Sequence, residues 1–217
     1  QLQPSMVFSA HGKVHARTGD YINFGAGVSG FGLKGPKPCI NMYRINSDGE
    51  LFKKGQIPLE TFPFCHDFAL SDRYAIFFLG SIIFGNMLPV ILGSRTISDQ
   101  VIFDEAVPMQ AVVIDLDTQS EVKRFELDPG AIIHFGNAFE LGNEIVIDGM
   151  FQDNFEANKT LTDVFNTSNR FGGGSYLRYC LNLSTGQVRS ECVTEVESEF
   201  PTFNTSYVGK QNDVTYT

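Results

Sequence analysis

The sequence predicts an all-β fold, and two observations favour a β-propeller. The first is composition: the 217 residues include 20 Phe and 21 Gly but no Trp, a balance that favours strands and tight turns over helices. The second is the recurrence of short β-rich runs separated by turn residues, a pattern typical of β-hairpins. A chain of this length that is 42% hydrophobic can bury a sizeable core, so residues 1–217 are expected to form a single domain.

Four hairpins are predicted around turn pairs that follow one another along the chain. The turns are Thr18 with Gly19, Asp48 with Gly49, Asp117 with Thr118, and Thr185 with Gly186. From Gly49 to Thr118 is 69 residues and from Thr118 to Gly186 is 68, which indicates a weak repeat. Repeated antiparallel sheets indicate a propeller, and at about 40 residues a blade the chain would hold about five blades. A β-sandwich remains the alternative on this pattern alone.

Three of the predicted hairpins begin with a histidine. His11 lies 8 residues before Gly19, His66 lies 6 before Asp72, and His134 lies 8 before Gly142. The innermost strands of a propeller face its axis, so histidines at equivalent places would converge there. An all-imidazole ligand set suits iron, copper, zinc or nickel. Taken singly, each histidine is more often a hydrogen-bonded core residue, and the remaining one, His15, is interpreted as a solvated surface residue.

The same segments resemble motifs of the carotenoid cleavage oxygenase family, a group of non-haem iron dioxygenases. "AHGKVHARTGDYINFG" is similar to the family's AHP-x-x-D-x-x-TGE motif, "CHDFALSDRYAIFF" to its HDF segment, "HFGNAFELGNEIVID" to its H-x-x-NA-[YFW]-E motif, and "EFPTFNTSYVGKQNDVTY" to its EFP segment. The resemblance extends over nearly the whole chain. It implies a seven-bladed β-propeller, of which this chain would cover roughly the central blades.

The resemblance also implies a metal centre. In the family four histidines hold one Fe(2+) on the propeller axis, and His11, His66 and His134 match the first three by motif position. The fourth is expected beyond the last residue, so the chain is expected to be an internal fragment that lacks an N-terminal part and the C-terminal blades. Glu199, in the EFP motif, matches a glutamate that accepts a ring N–H from a ligand histidine and fixes its orientation. Gly12 stands where the family usually has proline, a change expected to affect loop stiffness more than ligation.

The activity that the resemblance implies is Fe(2+)-dependent cleavage of a conjugated double bond in a carotenoid or apocarotenoid, with O2 as co-substrate and two carbonyl products. A stilbene-cleaving dioxygenase is the runner-up, and a non-catalytic propeller that binds a lipophilic ligand is the alternative from another class. Nucleic acid is not expected as a partner, because the net charge is −9 and no basic stripe is visible. The G-x-G-x-x-G match at residues 30–35 is followed by Pro36 and Pro38, which is unlike a dinucleotide site.

An uncharged stretch of 21 residues separates Arg73 from Arg95. Its length suggests a membrane span, but glycines and Pro89 interrupt it and its first residues belong to a predicted strand, so a span is rejected. Two alternatives remain: a buried loop, or an exposed apolar patch at residues 79–93 that touches a membrane and collects a lipophilic substrate. The resemblance favours the patch. The protein is accordingly expected in the cytoplasm or a plastid, in peripheral contact with a membrane.

Overall fold

The computed structural model describes residues 7–33, 35–156, 165 and 172–217. Within these residues the elements are β1 (Lys13–Val14), β2 (Tyr21–Gly32), β3 (Gly35–Ile45), β4 (Leu51–Pro58), β5 (Ala69–Leu70), β6 (Tyr74–Leu79), β7 (Ile82–Phe84), α1 (Leu88–Ile91), β8 (Val101–Phe103), β9 (Met109–Asp115), β10 (Glu121–Leu127), β11 (Ala131–Leu141), β12 (Glu144–Gln152), β13 (Gly174–Asn182) and β14 (Val188–Ser198), with short 3-10 helices at Ser98–Gln100 and Thr205–Tyr207. The all-β prediction is confirmed.

The strands form three antiparallel sheets of four strands each, called here the first, second and third blades. The first blade has the order β1-β2-β3-β4, the second β5-β6-β9-β10 and the third β11-β12-β13-β14. The strand that comes first in the sequence of each blade, β1, β5 or β11, is an edge strand of that blade. These three are called the inner strands, because β5 and β11 also contact each other across the blade boundary. The ribbon formed by β7 and β8 is inserted between β6 and β9.

The predicted hairpins around Gly49, Thr118 and Gly186 are confirmed, and their turns share one local structure. A side-chain oxygen of Asn46, Asp115 or Asn182 accepts hydrogen bonds from two backbone N–H groups of the following turn. Such Asx turns specify a tight reversal from local sequence alone. The weak repeat of the sequence is therefore a repeat of this turn.

The hydrophobic core lies between blades, and β6 supplies both of its parts. All six residues of β6 are buried, and because side chains alternate along a strand, successive residues face opposite blades. Phe77 packs towards the first blade, with its ring centroid 5.2 Å from that of Phe24. Phe78 packs towards the third blade, 5.2 Å from Phe135. A strand covered on both faces reads as a continuous apolar run in sequence.

The prediction of about five blades is wrong for the described residues, which form three. Two features use more chain than the assumed blade length. The strands β2 and β3 have 12 and 11 residues, about twice the usual strand length. The second blade also contains the inserted ribbon and helix α1. Three sheets joined through two separate core clusters also rule out the two-sheet sandwich.

The segment after β14 returns to the inner strands. Gly209 bridges to both Ser71 and Phe139. The buried side chain of Asn137 lies inside this return, with its amide nitrogen 3.0 Å from the carbonyl oxygen of Tyr207. The segment that begins with Glu199 is thereby held against β11, the inner strand of the third blade.

The apolar stretch at residues 79–93 divides into a buried and an exposed half. Leu79 and Ile82 are buried in the blade. Leu88, Ile91 and Leu92, on and just after α1, are 56%, 77% and 73% exposed, and these three residues are called here the apolar tip. The stretch is therefore neither a wholly buried loop nor a wholly exposed patch, and contact with a membrane stays a prediction. Among the described residues, no helix combines the length and apolar character needed to cross a membrane.

Candidate metal centre

The three histidines singled out by sequence all lie on or next to inner strands. His11 precedes β1, His66 precedes β5, and His134 is the fourth residue of β11. The expectation that each histidine opens its strand is wrong for His134, because β11 starts earlier. The pairing register of β11 with β12 shifts between Ile132 and Phe135, and such a bulge re-aims the side chains within it.

The structure brings the three imidazoles together although they are 55 and 68 residues apart in sequence. One ring nitrogen of each lies within 4.8 Å of the others, and the group is suited to hold a metal ion. The Nε2 atoms of His11 and His66 are 2.8 Å apart. Two nitrogens that each lie about 2.1 Å from one ion are at most about 4.2 Å apart. Small ring rotations would therefore bring the whole set onto one transition-metal ion, which an all-nitrogen donor set suits.

Glu199 contacts one histidine of the three, His134. Its Oε2 atom is 2.8 Å from His134 Nδ1, and Oε2 also accepts the Phe200 N–H at 3.0 Å. The Oε1 atom accepts a hydrogen bond from the amide of Gln152 at 2.9 Å. A carboxylate in this position keeps the proton on Nδ1, so the Nε2 lone pair is free for a metal.

The pKa shifts at the cluster favour neutral imidazoles at His11 and His66 and a charged carboxylate at Glu199. Burial lowers the pKa of His11 against an opposing pull from Asp67. Burial also lowers the pKa of His66, and the neighbouring His11 and His134 lower it further. Burial alone would raise the pKa of Glu199, but its three hydrogen bonds outweigh that effect and its pKa is lowered. Neutral imidazole is the form that binds metal.

Phe200 covers one face of the cluster and was missed by the sequence analysis. Its ring centroid lies 4.5 Å from that of His134, although the side chain is 68% exposed. Its backbone φ is 56°, in the left-handed region that is costly for a residue with a side chain. The strained backbone places an apolar ring directly beside the candidate ligand.

Ser9 and Asp67 also contact the segments that carry the histidines, and the sequence did not identify either residue. The hydroxyl of Ser9 donates to the carbonyl oxygen of His66 at 2.8 Å and accepts the N–H of His11 at 3.1 Å. It therefore joins the backbones that carry two of the three histidines. No spacing or motif marks a serine for this task, whereas Asp67 is at least marked by its place directly after His66.

The interpretation of His15 as a solvated surface residue is wrong. Its side chain is buried, with a residue exposure of 3%. The Nε2 atom lies 2.8 Å from the carbonyl oxygen of Asp72, and Nδ1 accepts the N–H of Thr18 at 3.2 Å. Nδ1 thus bonds within the turn around Thr18, Nε2 ties this turn to the second blade, and His15 lies outside the histidine cluster.

The side chain of Tyr21 occupies the space beside Gly12. A Cβ atom added at residue 12 would collide with the hydroxyl end of the Tyr21 side chain and would also approach Asn23. The tyrosine hydroxyl in turn accepts a hydrogen bond from the Asn23 amide at 3.0 Å. The Tyr21 side chain thus fills the space that a proline at position 12 would occupy.

Comparison with known proteins gives consistent matches over the whole chain. The family model described as RPE65, retinal pigment epithelial membrane protein, matches residues 1–217. The apocarotenoid-15,15'-oxygenase of Synechocystis is 26% identical over 172 residues, which are 79% of this chain and 35% of that protein. The carotenoid 9,10(9',10')-cleavage dioxygenase 1 of Phaseolus vulgaris is 26% identical, over 96% of this chain and 37% of that protein. The chain therefore spans little more than a third of the length of these relatives.

Solved structures match the fold. An ACO/RPE65 chimera superposes with a TM-score of 0.82 at 22% identity, over 99% of this chain and 44% of the other. A cobalt-substituted Synechocystis ACO gives a TM-score of 0.81 at the same identity and coverage. These structures are seven-bladed β-propellers, so the three blades described above are part of that architecture. The predicted fold is confirmed.

Proposed function

Because the chain belongs to the RPE65 family of carotenoid cleavage oxygenases, we propose that it contributes three histidine ligands to an Fe(2+)-dependent dioxygenase that cleaves a conjugated double bond. The substrate proposed is a carotenoid or apocarotenoid, cleaved with O2 to give two carbonyl products. The observation that carries the proposal is the convergence of His11, His66 and His134 from three separate blades. The family pattern has a fourth histidine ligand, and His15 cannot supply it because both of its ring nitrogens are used elsewhere.

The three neutral imidazoles would hold the ion and leave positions around it open. Iron in such a site supplies the chemistry that activates O2 beside an alkene. Glu199 keeps its proton-sharing partner His134 in the tautomer and orientation that ligation requires. No side chain has to act as a general acid or base.

Aromatic side chains on the segments that carry His66 and Glu199 offer an apolar surface to a polyene. Phe64 lies two residues before His66, and its ring centroid is 5.2 Å from that of Phe155 and 6.3 Å from that of Phe84. Phe200 adds a ring on the side of His134. Such rings bind a conjugated chain through dispersion and exclude water from it, which supports a lipophilic substrate.

The proposal is tested by metal content and product formation in the purified protein. We expect the protein prepared with Fe(2+) to retain iron and to convert a β-apocarotenal in the presence of O2 into two carbonyl fragments identified by mass spectrometry. The metal-free protein serves as the control. If the iron-loaded protein leaves every apocarotenoid intact but cleaves a stilbene, the proposed substrate class is wrong and stilbenes replace it. If the protein neither holds iron nor forms a carbonyl product, the enzyme assignment is wrong.

A non-catalytic propeller that binds a lipophilic ligand is the second candidate. The observation that favours it is the set of rings around Phe64, which would bind a polyene without a metal. Retention of an apocarotenal by the metal-free protein, together with the absence of cleavage by the iron-loaded protein, would establish this function.

We also propose peripheral membrane contact through the apolar tip. Burying the side chains of Ile91 and Leu92, which are exposed, would contribute about 1.5–3 kcal/mol each, which is about 10- to 150-fold in membrane affinity for each residue. A membrane-bound pool of the protein in either the cytoplasm or a plastid would fit this contact, and a chloroplastic rice 9-cis-epoxycarotenoid dioxygenase is 25% identical over 97% of this chain.

The double substitution Ile91→Ser with Leu92→Ser is expected to lower binding to neutral phosphatidylcholine vesicles at least tenfold in a co-sedimentation assay. The matched control is Val122→Ser, which removes an exposed apolar side chain on β10 and should leave vesicle binding unchanged. Equal loss in both variants, or none in the double variant, would contradict a membrane role for the apolar tip.

A further inference from the structure

Asp67 is a buried carboxylate at the junction of the three inner strands. The residue is 4% exposed and follows His66 directly in sequence. Burial of a charge is costly unless every oxygen has a partner, so the partners of this carboxylate indicate what it holds in place.

The carboxylate has partners on β1 and β11 and in the segment that leads into β5. Its Oδ2 atom accepts the backbone N–H of Phe135 at 2.9 Å, and Oδ1 accepts the N–H of Phe68 at 2.8 Å. The ammonium group of Lys13 lies 3.0 Å from Oδ1 and 3.3 Å from Oδ2. Hydrogen bonds between charged groups are shorter and stronger than neutral ones, so this contact set is a strong one.

Each partner stands next to a candidate ligand. Phe135 follows His134 directly, and Lys13 lies two residues after His11. Asp67 itself follows His66, so its carboxylate joins the three segments that carry the histidines, through a backbone N–H next to His134 and the Lys13 side chain near His11. The N–H of Phe135 lies where β11, as the inner strand, has no neighbouring strand on its free side, and Asp67 supplies the acceptor that a further strand would otherwise provide.

We propose that Asp67 is a positioning residue that sets the spacing of the three histidines before any metal binds. This inference rests on the proposed metal function of the cluster. The contacts of Asp67 tie β1 and β11 to the segment that carries His66, while Ser9 and Glu199 each contact only part of the set. Removal of the carboxylate should therefore disturb all three rings together.

Asp67→Asn tests the inference because it keeps the shape and removes the charge. The new amide group cannot accept from Phe135 N–H and Lys13 on both of its ends, since one end becomes a donor. The matched control is Glu140→Gln: Glu140 also joins β11 to the second blade, accepting from the hydroxyl of Ser71 at 2.7 Å and from the Arg73 N–H at 2.9 Å. It does so six residues from His134, away from the cluster.

Two measurements separate positioning from general stabilisation. The first is the affinity of the metal-free protein for Co(2+), followed by its visible absorption, and the second is the set of ring ¹⁵N chemical shifts of the histidines without metal. Asp67→Asn is expected to weaken Co(2+) binding about tenfold and to move the shifts of His11, His66 and His134. Glu140→Gln is expected to lower the unfolding temperature. Its affinity for Co(2+) should stay within twofold of the wild type, and its histidine ring shifts should be unchanged within error.

A milder variant covers the case in which Asp67→Asn does not fold. Lys13→Gln removes one contact from a side chain that is 20% exposed, and it should move the ring shifts of His11 more than those of His134. The inference would be overturned if Asp67→Asn kept both the wild-type affinity and the wild-type ring shifts. If Asp67→Asn does not fold, the same result in Lys13→Gln would overturn it. Either result would leave the metal function intact. Should the wild-type protein bind no Co(2+), the proposed function fails, and the ring shifts of the metal-free variants alone decide the role of Asp67.

Discussion

Replacing His66 with alanine is expected to reduce the affinity for Fe(2+) or Co(2+) at least about 100-fold, because it removes one of the few strong donors of the site. His66 is the most suitable of the three for this test. It lies outside the strands and is exposed, so its truncation leaves no core cavity, and the metal-free variant should unfold at nearly the temperature of the metal-free wild type. Its Nε2 atom is 2.8 Å from that of His11, so its loss opens the cluster at the closest contact.

The control for this prediction is His15→Ala in the same chain. His15 is buried and holds the first turn through both ring nitrogens, so its truncation should lower the unfolding temperature and leave metal affinity unchanged. Metal bound per chain is measured by elemental analysis, and affinity by titration. If His66→Ala retained wild-type metal, or if His15→Ala lost as much metal as His66→Ala, the assignment of the cluster as the metal site would be wrong.

Glu199→Gln is expected to weaken metal binding by about 10–100-fold, the range usual for partners that orient a metal-bound histidine. The glutamine oxygen is neutral, so it accepts the His134 Nδ1–H more weakly than the carboxylate does. Its amide group would also face the amide of Gln152, which now donates to Oε1 at 2.9 Å. The ring of His134 would lose its fixed tautomer and orientation.

Glu197→Gln is the matched control, since Glu197 is exposed and lies near the end of β14, two residues before Glu199. It should bind metal as the wild type does, and both variants should unfold within a few degrees of it. Titration with Co(2+) gives the affinities. Identical affinities in Glu199→Gln and Glu197→Gln would remove Glu199 from the site.

Local sequence was sufficient to predict the hairpins. Asn46, Asp115 and Asn182 specify their turns through hydrogen bonds to residues at most four positions away. The equivalence of His11, His66 and His134 was visible for the same reason, because each precedes a turn at nearly the same spacing. Because this spacing repeats, the local sequence predicts that the three histidines face one common axis.

The contacts between blades could not be predicted in the same way. The burial of His15 depends on the carbonyl oxygen of Asp72, which lies 57 residues away. The bridge from Asp67 to Phe135 spans 68 residues, the same spacing as His66 and His134, but the repeat does not indicate which side chain crosses between blades. The number of blades was overestimated because strand length and the inserted ribbon depend on packing rather than on turn chemistry.

Because His11, His66 and His134 belong to three different blades, an ion held by them would cross-link segments that are 123 residues apart. This cross-link exists only in the folded state, so at a free metal concentration 100 times the dissociation constant it would add about 2.7 kcal/mol to the free energy of unfolding. A cell short of iron would then lose the protein itself as well as its activity, since the less stable metal-free form is degraded sooner.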